Sequence, residues 1–188
     1  MIRWPDPRAL ARQFRAAKPF RHVVIDGLLA RSDLLRVREA FGREPQALVE
    51  DEIYLHLRSA DPPLTPPLRE LRQELAASCA VVSQICATAV SRADGSAHSY
   101  LPCHYLLPHS DFRPGEGRAI AYACYFGAPR RGGELELFAV TARGTRPAKR
   151  IAARPNRMVL FEVNQAALHQ VREVLEGRRD SIAGWFYP

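Results

Sequence analysis

The sequence predicts an α+β fold, a helical N-terminal layer packed on a C-terminal antiparallel β-barrel, in one domain spanning 1–188. Two patterns predict it. Apolar residues recur at helical spacing through much of 1–95, whereas 96–188 breaks into short segments that alternate at period two. Length sets a bound: 188 residues, 47% hydrophobic and 25% charged, suit one core that buries roughly two thirds of the unfolded surface.

Taken in order, Asp6-Pro7 followed by Leu10 and Phe14 reads as an N-capped amphipathic helix. His22 to Ile25 reads as a strand. Ser32 is placed to cap a helix running through Leu34, Val37 and Phe41 and stopped by Gly42. Ile53, Leu55 and Leu57 alternate with Tyr54, His56 and Arg58, the pattern of a half-exposed strand. Thr65-Pro66 opens the longest expected helix, through Leu71, Leu75 and Ala76 towards Val90. Beyond Gly95 the expected strands are Ser99–Leu107, Arg118–Phe126, Glu134–Ala139, Met158–Val163, His169–Leu175 and Ser181–Tyr187.

Cys79, Cys86, Cys103 and Cys124 show no CxxC and no paired short spacing, so they are expected as free or buried thiols in a reducing compartment. No apolar run reaches the length of a membrane span, and the basic N-terminus lacks a signal-peptide core, so the expected location is cytoplasmic. The formal charge of +7 raises nucleic-acid binding as a possibility. The arginines are scattered and no basic stretch is interleaved with aromatics, so a solvated arginine-rich surface is the favoured reading. Such a surface favours acidic partners over basic ones.

One cluster carries chemistry. His109-Ser110-Asp111 puts two ligand types at i and i+2, on one face of an extended segment, and His169 opens a later strand. Two imidazoles and a carboxylate on one face of an octahedron leave three positions open, as ferrous oxygenases require. Taken singly, each residue has a plainer explanation: a turn histidine after Pro108, and a half-buried strand histidine. Further residues shift the balance. Ala119, Ala121, Ala123 and Tyr125 share one strand face, which leaves room beside a hydroxyl. Arg179, Ser181, Ala183 and Trp185 share another, opposite Ile182 and Phe186. An inward-facing arginine is costly unless it meets an anion, and a dicarboxylate would supply one. The alternative is an edge arginine in solvent.

These residues lie within a larger pattern. Asn156–Asn164 (NRMVLFEVN), Leu168–Leu175 (LHQVREVL) and Ser181–Phe186 (SIAGWF) are its most specific parts, preceded in order by Tyr100–Asp111, Arg118–Tyr125 and Gly132–Phe138. Glu52–Ser59 and the helix after it match more loosely. Over nearly its whole length the chain resembles the prolyl-hydroxylase branch of the Fe(II)/2-oxoglutarate-dependent oxygenases. Within that branch it resembles the catalytic domain of the Tpa1-like ribosomal prolyl hydroxylases.

The resemblance implies a double-stranded β-helix (a jelly-roll or cupin-like barrel) over 96–188, supported by 1–95. It implies Fe(II) held by His109, Asp111 and His169, with 2-oxoglutarate and O2 as co-substrates and ascorbate in support. Arg179, six residues before Trp185, matches the group that grips the far carboxylate of 2-oxoglutarate; strand parity prefers it to Arg178. Tyr125 and Tyr100 match hydroxyl positions on the same co-substrate. The implied reaction is hydroxylation of an unactivated C–H bond with release of succinate and CO2, and the retained Asp111 argues against a halogenase. A prolyl or amino-acid-like substrate in a protein or peptide comes first, and a free or carrier-bound small molecule second. The strand with Tyr54, His56 and Arg58, with the loops around Pro62 and Arg130, is placed either to form the mouth that chooses between them or simply to face solvent. A non-catalytic 2-oxoglutarate-binding module and a zinc enzyme using the same ligands are the rivals. Two departures stand out: a single barrel where the Tpa1-like proteins have two, and a short span between His169 and Arg179, which requires a tight turn.

Overall fold

The structure is a computed structural model describing Met1–Pro188. In helix α1 (Pro7–Ala16) the Asp6 carboxylate accepts from the backbone N–H groups of Arg8 and Ala9, and Leu10, Ala11 and Phe14 turn inward. Strand β1 (His22–Asp26) and helix α2 (Arg31–Phe41) follow. The cap of α2 is Ala30, with no side-chain bond; Ser32 lies inside the first turn, so the expected Ser32 cap is incorrect. Strands β2 (Ala47–Asp51) and β3 (Tyr54–Arg58) form a hairpin.

The long helix expected from Pro66 is two helices, α3 (Pro66–Ala77) and α4 (Cys79–Cys86). Ser78 breaks it. Its hydroxyl donates to the Glu74 carbonyl at 2.7 Å and accepts from the Trp4 indole at 3.2 Å, which turns the backbone out of register. The break lets both pieces bury: Leu68, Leu71 and Leu75 from one, Val82 and Ile85 from the other.

The remaining strands are β4 (Arg92–Ala93), β5 (Ser96–Tyr100), β6 (Tyr105–His109), β7 (Ile120–Tyr125), β8 (Arg131–Gly132), β9 (Leu135–Thr141), β10 (Gly144–Ile151), β11 (Arg157–Glu162), β12 (His169–Val171), β13 (Val174–Glu176) and β14 (Arg179–Tyr187). Twelve strands form one curled sheet, ordered β1-β11-β7-β14-β5-β3-β6-β12-β9-β10, with β2 and β4 paired at its side. Two expected strands are each divided. Ser99–Leu107 turns at Leu101–His104 between β5 and β6, and His169–Leu175 splits into β12 and β13.

Strands β7 and β14 are the centre of the architecture because both of their faces are buried. One face of each (Ile120, Tyr122, Cys124; Ile182, Phe186) joins the helices in the larger core cluster. The other face looks into the barrel and carries small or polar groups. Ala121 and Ala123 leave space there, but Ala119 precedes β7 and packs on the helical side, against expectation.

The short span from His169 to Arg179 is accommodated by β13, which pairs with β8. Gly132 makes that close approach possible. Its φ is +79°, and a Cβ there would stand 2.0 Å from the Glu173 carbonyl oxygen. Gly132→Ala is therefore expected to lower unfolding stability by about 2–3 kcal/mol, read as a lower urea midpoint at unchanged m-value.

Candidate functional site

Three elements bring the ligand-type residues together. His109 ends β6, Asp111 lies two residues beyond, and His169 begins β12, directly opposite His109 in the ladder. The register between β6 and β12 thus sets the distance between the two imidazoles, whose ring centroids are 4.4 Å apart.

Each imidazole is oriented by its own strand. His109 Nδ1 bonds the Leu107 carbonyl at 2.9 Å and His169 Nδ1 bonds the Ala167 carbonyl at 3.1 Å. A carbonyl only accepts, so Nδ1 carries the proton and Nε2 presents its lone pair. Both Nε2 atoms converge on one carboxylate, at 3.4 Å from Asp111 Oδ1 and 3.5 Å from Oδ2. The three donors lie within 4.8 Å of one another. Donors holding one first-row ion at about 2.0–2.2 Å on a shared face lie about 3 Å apart, so the cluster fits such an ion. Burial opposes charge on Asp111, but His169 and His109 outweigh it and hold the carboxyl well below the usual range; burial lowers the His169 pKa, which favours the neutral ligand form.

The cluster opens into a cavity of about 230 Å³. Arg179 lines it, only 3% exposed, and no carboxylate pairs with it. Its Nε has no partner, and Nη1 reaches only the Ser181 hydroxyl, at 3.4 Å. The guanidinium carbon sits 4.7 Å from the Tyr100 ring centre and 4.9 Å from that of Tyr125. The Tyr125 hydroxyl is buried and also unpartnered. A fully enclosed cation with idle donors, beside an idle hydroxyl, is a receptor for an anion of matching shape. Arg178 points elsewhere and bonds Asp180 at 2.6 Å and Ser99 at 2.9 Å.

Residues 95–187 match the family model of the 2OG-Fe(II) oxygenase superfamily. The chain belongs to that superfamily. It is 38% identical over 90 residues to the prolyl 3-hydroxylase OGFOD1 of Xenopus laevis, across 44% of this chain and 17% of that protein. Against the Mus musculus OGFOD1 it is 39% identical over 103 residues, 50% of this chain and 18% of that protein. The match thus spans less than a fifth of these relatives. Among solved structures, a Pseudomonas putida prolyl-4-hydroxylase superposes with a TM-score of 0.71 at 15% identity, covering 95% of this chain and 98% of that one. A 2OG-Fe(II) family oxidoreductase from Burkholderia pseudomallei gives a TM-score of 0.73 at 15% identity, covering 100% and 93%. These likenesses establish the double-stranded β-helix fold.

The superfamily's two small partners fit this chain: the cluster suits Fe(II), and the anion receptor suits the far carboxylate of 2-oxoglutarate. Sequence reasoning missed part of the cavity wall. His98 and Phe161 line it, and Phe161 meets the His169 ring edge-on at 4.7 Å. Arg118 lies 3.8 Å over the Trp185 ring, whose indole N–H is buried without a partner. A lone Arg118 before an apolar strand gives no signal of this stacking in the sequence. Tyr54, His56 and Arg58, read as half-exposed, all face the cavity. His56 is 6% exposed, stacks on Tyr100 with centroids 4.8 Å apart, and neither of its ring nitrogens has a partner.

Burial first, then the positive charges of Arg58 and Arg179, hold the His56 pKa down to about 4. An unfolded imidazole titrates near 6.5. Between those values the unfolded chain binds the extra proton, so His56's contribution is complete above about pH 6.5 and is lost as pH falls towards 4. The half-buried His98 and the buried His169 shift the same way. Urea unfolding of the metal-free protein is expected to show a loss of about 2–3 kcal/mol across that window, with a shallower loss in His56→Asn.

Proposed function

We propose that the chain is an Fe(II)- and 2-oxoglutarate-dependent dioxygenase that hydroxylates an unactivated C–H bond of a prolyl or amino-acid-like substrate, releasing succinate and CO2. The observation that carries this reading is Arg179, a buried cation without an anion in the same cavity as His109, Asp111 and His169. A zinc enzyme using the same ligands would leave that cation uncompensated. The prolyl assignment is supported by the names of the relatives, prolyl 3-hydroxylases by sequence and prolyl hydroxylases by fold, one of them in complex with a peptide fragment.

In this reading His109, Asp111 and His169 hold the iron, and Arg179 with Tyr125 and Tyr100 hold the far carboxylate of 2-oxoglutarate. Bound iron and 2-oxoglutarate together supply the oxidising power to activate O2 against a C–H bond. The protein's own part is positional. The two backbone-tethered imidazoles fix the ligand face, and Arg179 offers a preorganised donor fork that loses little on binding. Ala121 and Ala123 keep the space above the strand free, while Phe161 and Trp185 wall it from water. Tyr100, pushed up to about 12 by burial, stays protonated and able to donate. A cytoplasmic location belongs to the same proposal, supported by the four unpaired cysteines.

The test is an anaerobic titration of the metal-free protein with Fe(II) and then 2-oxoglutarate, followed by visible absorbance. A weak charge-transfer band is expected only when both are present. Arg179→Ala should weaken 2-oxoglutarate binding about hundredfold, the scale of a lost charged hydrogen-bond pair. Bound iron with no band would return the site to a zinc enzyme or a binding module. Asp111→Ala should fold normally and lose succinate formation by more than about two orders of magnitude. With proline-containing peptides, mass spectrometry should find one added oxygen on the proline.

A further inference from the structure

A second concavity, a groove of about 390 Å³, lies beside the metal centre. Arg15, Lys18 and Arg21, all exposed, stand along it, where the chain runs from α1 into β1. None of the three makes an ion pair. The single acid in the groove, Glu162, accepts from the Arg21 backbone N–H at 2.9 Å through Oε1 and keeps its charge, so three cations face one carboxylate. On the far side Val140, 49% exposed, lines the groove and pairs with Thr145 of β10. Arg143 and Arg146, which flank Thr145, are likewise exposed and without ion pairs, whereas Arg150 farther along β10 is matched by Glu136. Three exposed cations without ion pairs thus line this one groove.

The groove shares a wall with the metal centre. Asn164 and Ala166 line it, and the Asn164 carbonyl accepts from Ser110, the residue between His109 and Asp111, at 2.8 Å. The Ala167 carbonyl, one residue on, orients His169. The groove thus backs onto the segments that carry Asp111 and orient His169.

We infer that the groove is a docking site for an acidic polypeptide segment flanking the residue to be hydroxylated. The inference rests on the oxygenase reading for the meaning of the neighbouring mouth, but the groove's chemistry stands on its own charges. A peptide is favoured over single-stranded nucleic acid because the groove offers no stacking platform: its two aromatic residues, Phe20 and Phe138, are 8% and 7% exposed. An exposed valine between cations suits a segment mixing acidic and small apolar side chains.

The experiment is a fluorescence-anisotropy titration of the full chain, without iron or 2-oxoglutarate, so that binding is read apart from catalysis. The probes are a labelled peptide with one proline flanked by Asp, Glu and Leu, its twin with Asn and Gln for the acids, and a labelled single-stranded RNA of equal charge. The acidic peptide is expected to bind about tenfold tighter than its twin, with the advantage shrinking as salt rises. The double variant Arg15→Glu, Lys18→Glu should erase the advantage, while Arg31→Glu, Arg38→Glu, an equal charge change on exposed sites of α2, should keep it. Equal binding of the two peptides, equal loss in both variants, or tighter binding of the RNA would each overturn the inference. Groove-dependent peptide binding in a protein that forms no charge-transfer band would uphold the groove and refute the oxygenase reading instead.

Discussion

An arginine enclosed in a barrel without a carboxylate beside it is the constraint around which the rest of the molecule is arranged. Desolvating a guanidinium costs several kcal/mol unless a counter-charge is provided, and this chain provides none of its own. The fold tolerates Arg179 because β14 carries it on a strand whose opposite face is anchored by Ile182 and Phe186, both fully buried among the helices. The helical layer, remote from the chemistry, therefore secures the strand that presents the cation. Three neighbouring features serve the same end: the alanines of β7 hold open the space, two tyrosine rings bracket the guanidinium, and a close glycine turn seats the strand's start.

Electrostatics divide the cavity. At one end Asp111 supplies the only carboxylate of the lining and stays ionised between two imidazoles. Arg113 and Arg118 also line that end. At the other, Arg58, Arg179, His56 and His98 supply donors and positive charge, and the two histidines remain neutral because a further charge there would be neither solvated nor paired. A dicarboxylate with one end on a metal complements that division. The empty-handed donors also explain why the protein should lose stability in mild acid, where these groups would have to take up protons without partners.

The site was more legible in the sequence than the fold that frames it. Strand parity alone separated Arg179 from Arg178 and put Arg179, Ser181, Ala183 and Trp185 on one face, because a period of two leaves no freedom once the hydrophobic face is known. His109, Asp111 and His169 were found as residue types, but only the β6–β12 register brings the imidazoles face to face. What failed was local continuity. Ser78 interrupts a helix whose apolar rhythm carries straight through it, since the cause is a hydroxyl bonded to Glu74 and Trp4 and the latter partner lies 74 residues away. The exposed strand β10 went unread because its arginines and proline carry no alternation. His56 gave the wrong impression of exposure: on a strand lining a cavity, buried positions can be polar, and periodicity cannot tell a wet face from an enclosed one.

The placement of cationic and aromatic groups together along β14 has a consequence for how such an enzyme can diversify. Arg179 stands at the strand's start with Tyr100 and Tyr125, and Trp185 stands near its end under Arg118. Five residues of largely buried strand separate the two ends, so each is adjusted by different neighbours. In the proposed reading, exchanges around Trp185 and Arg118 change that end of the cavity while Arg179 and its two tyrosines are untouched, so a lineage can change its clientele without reinventing its chemistry.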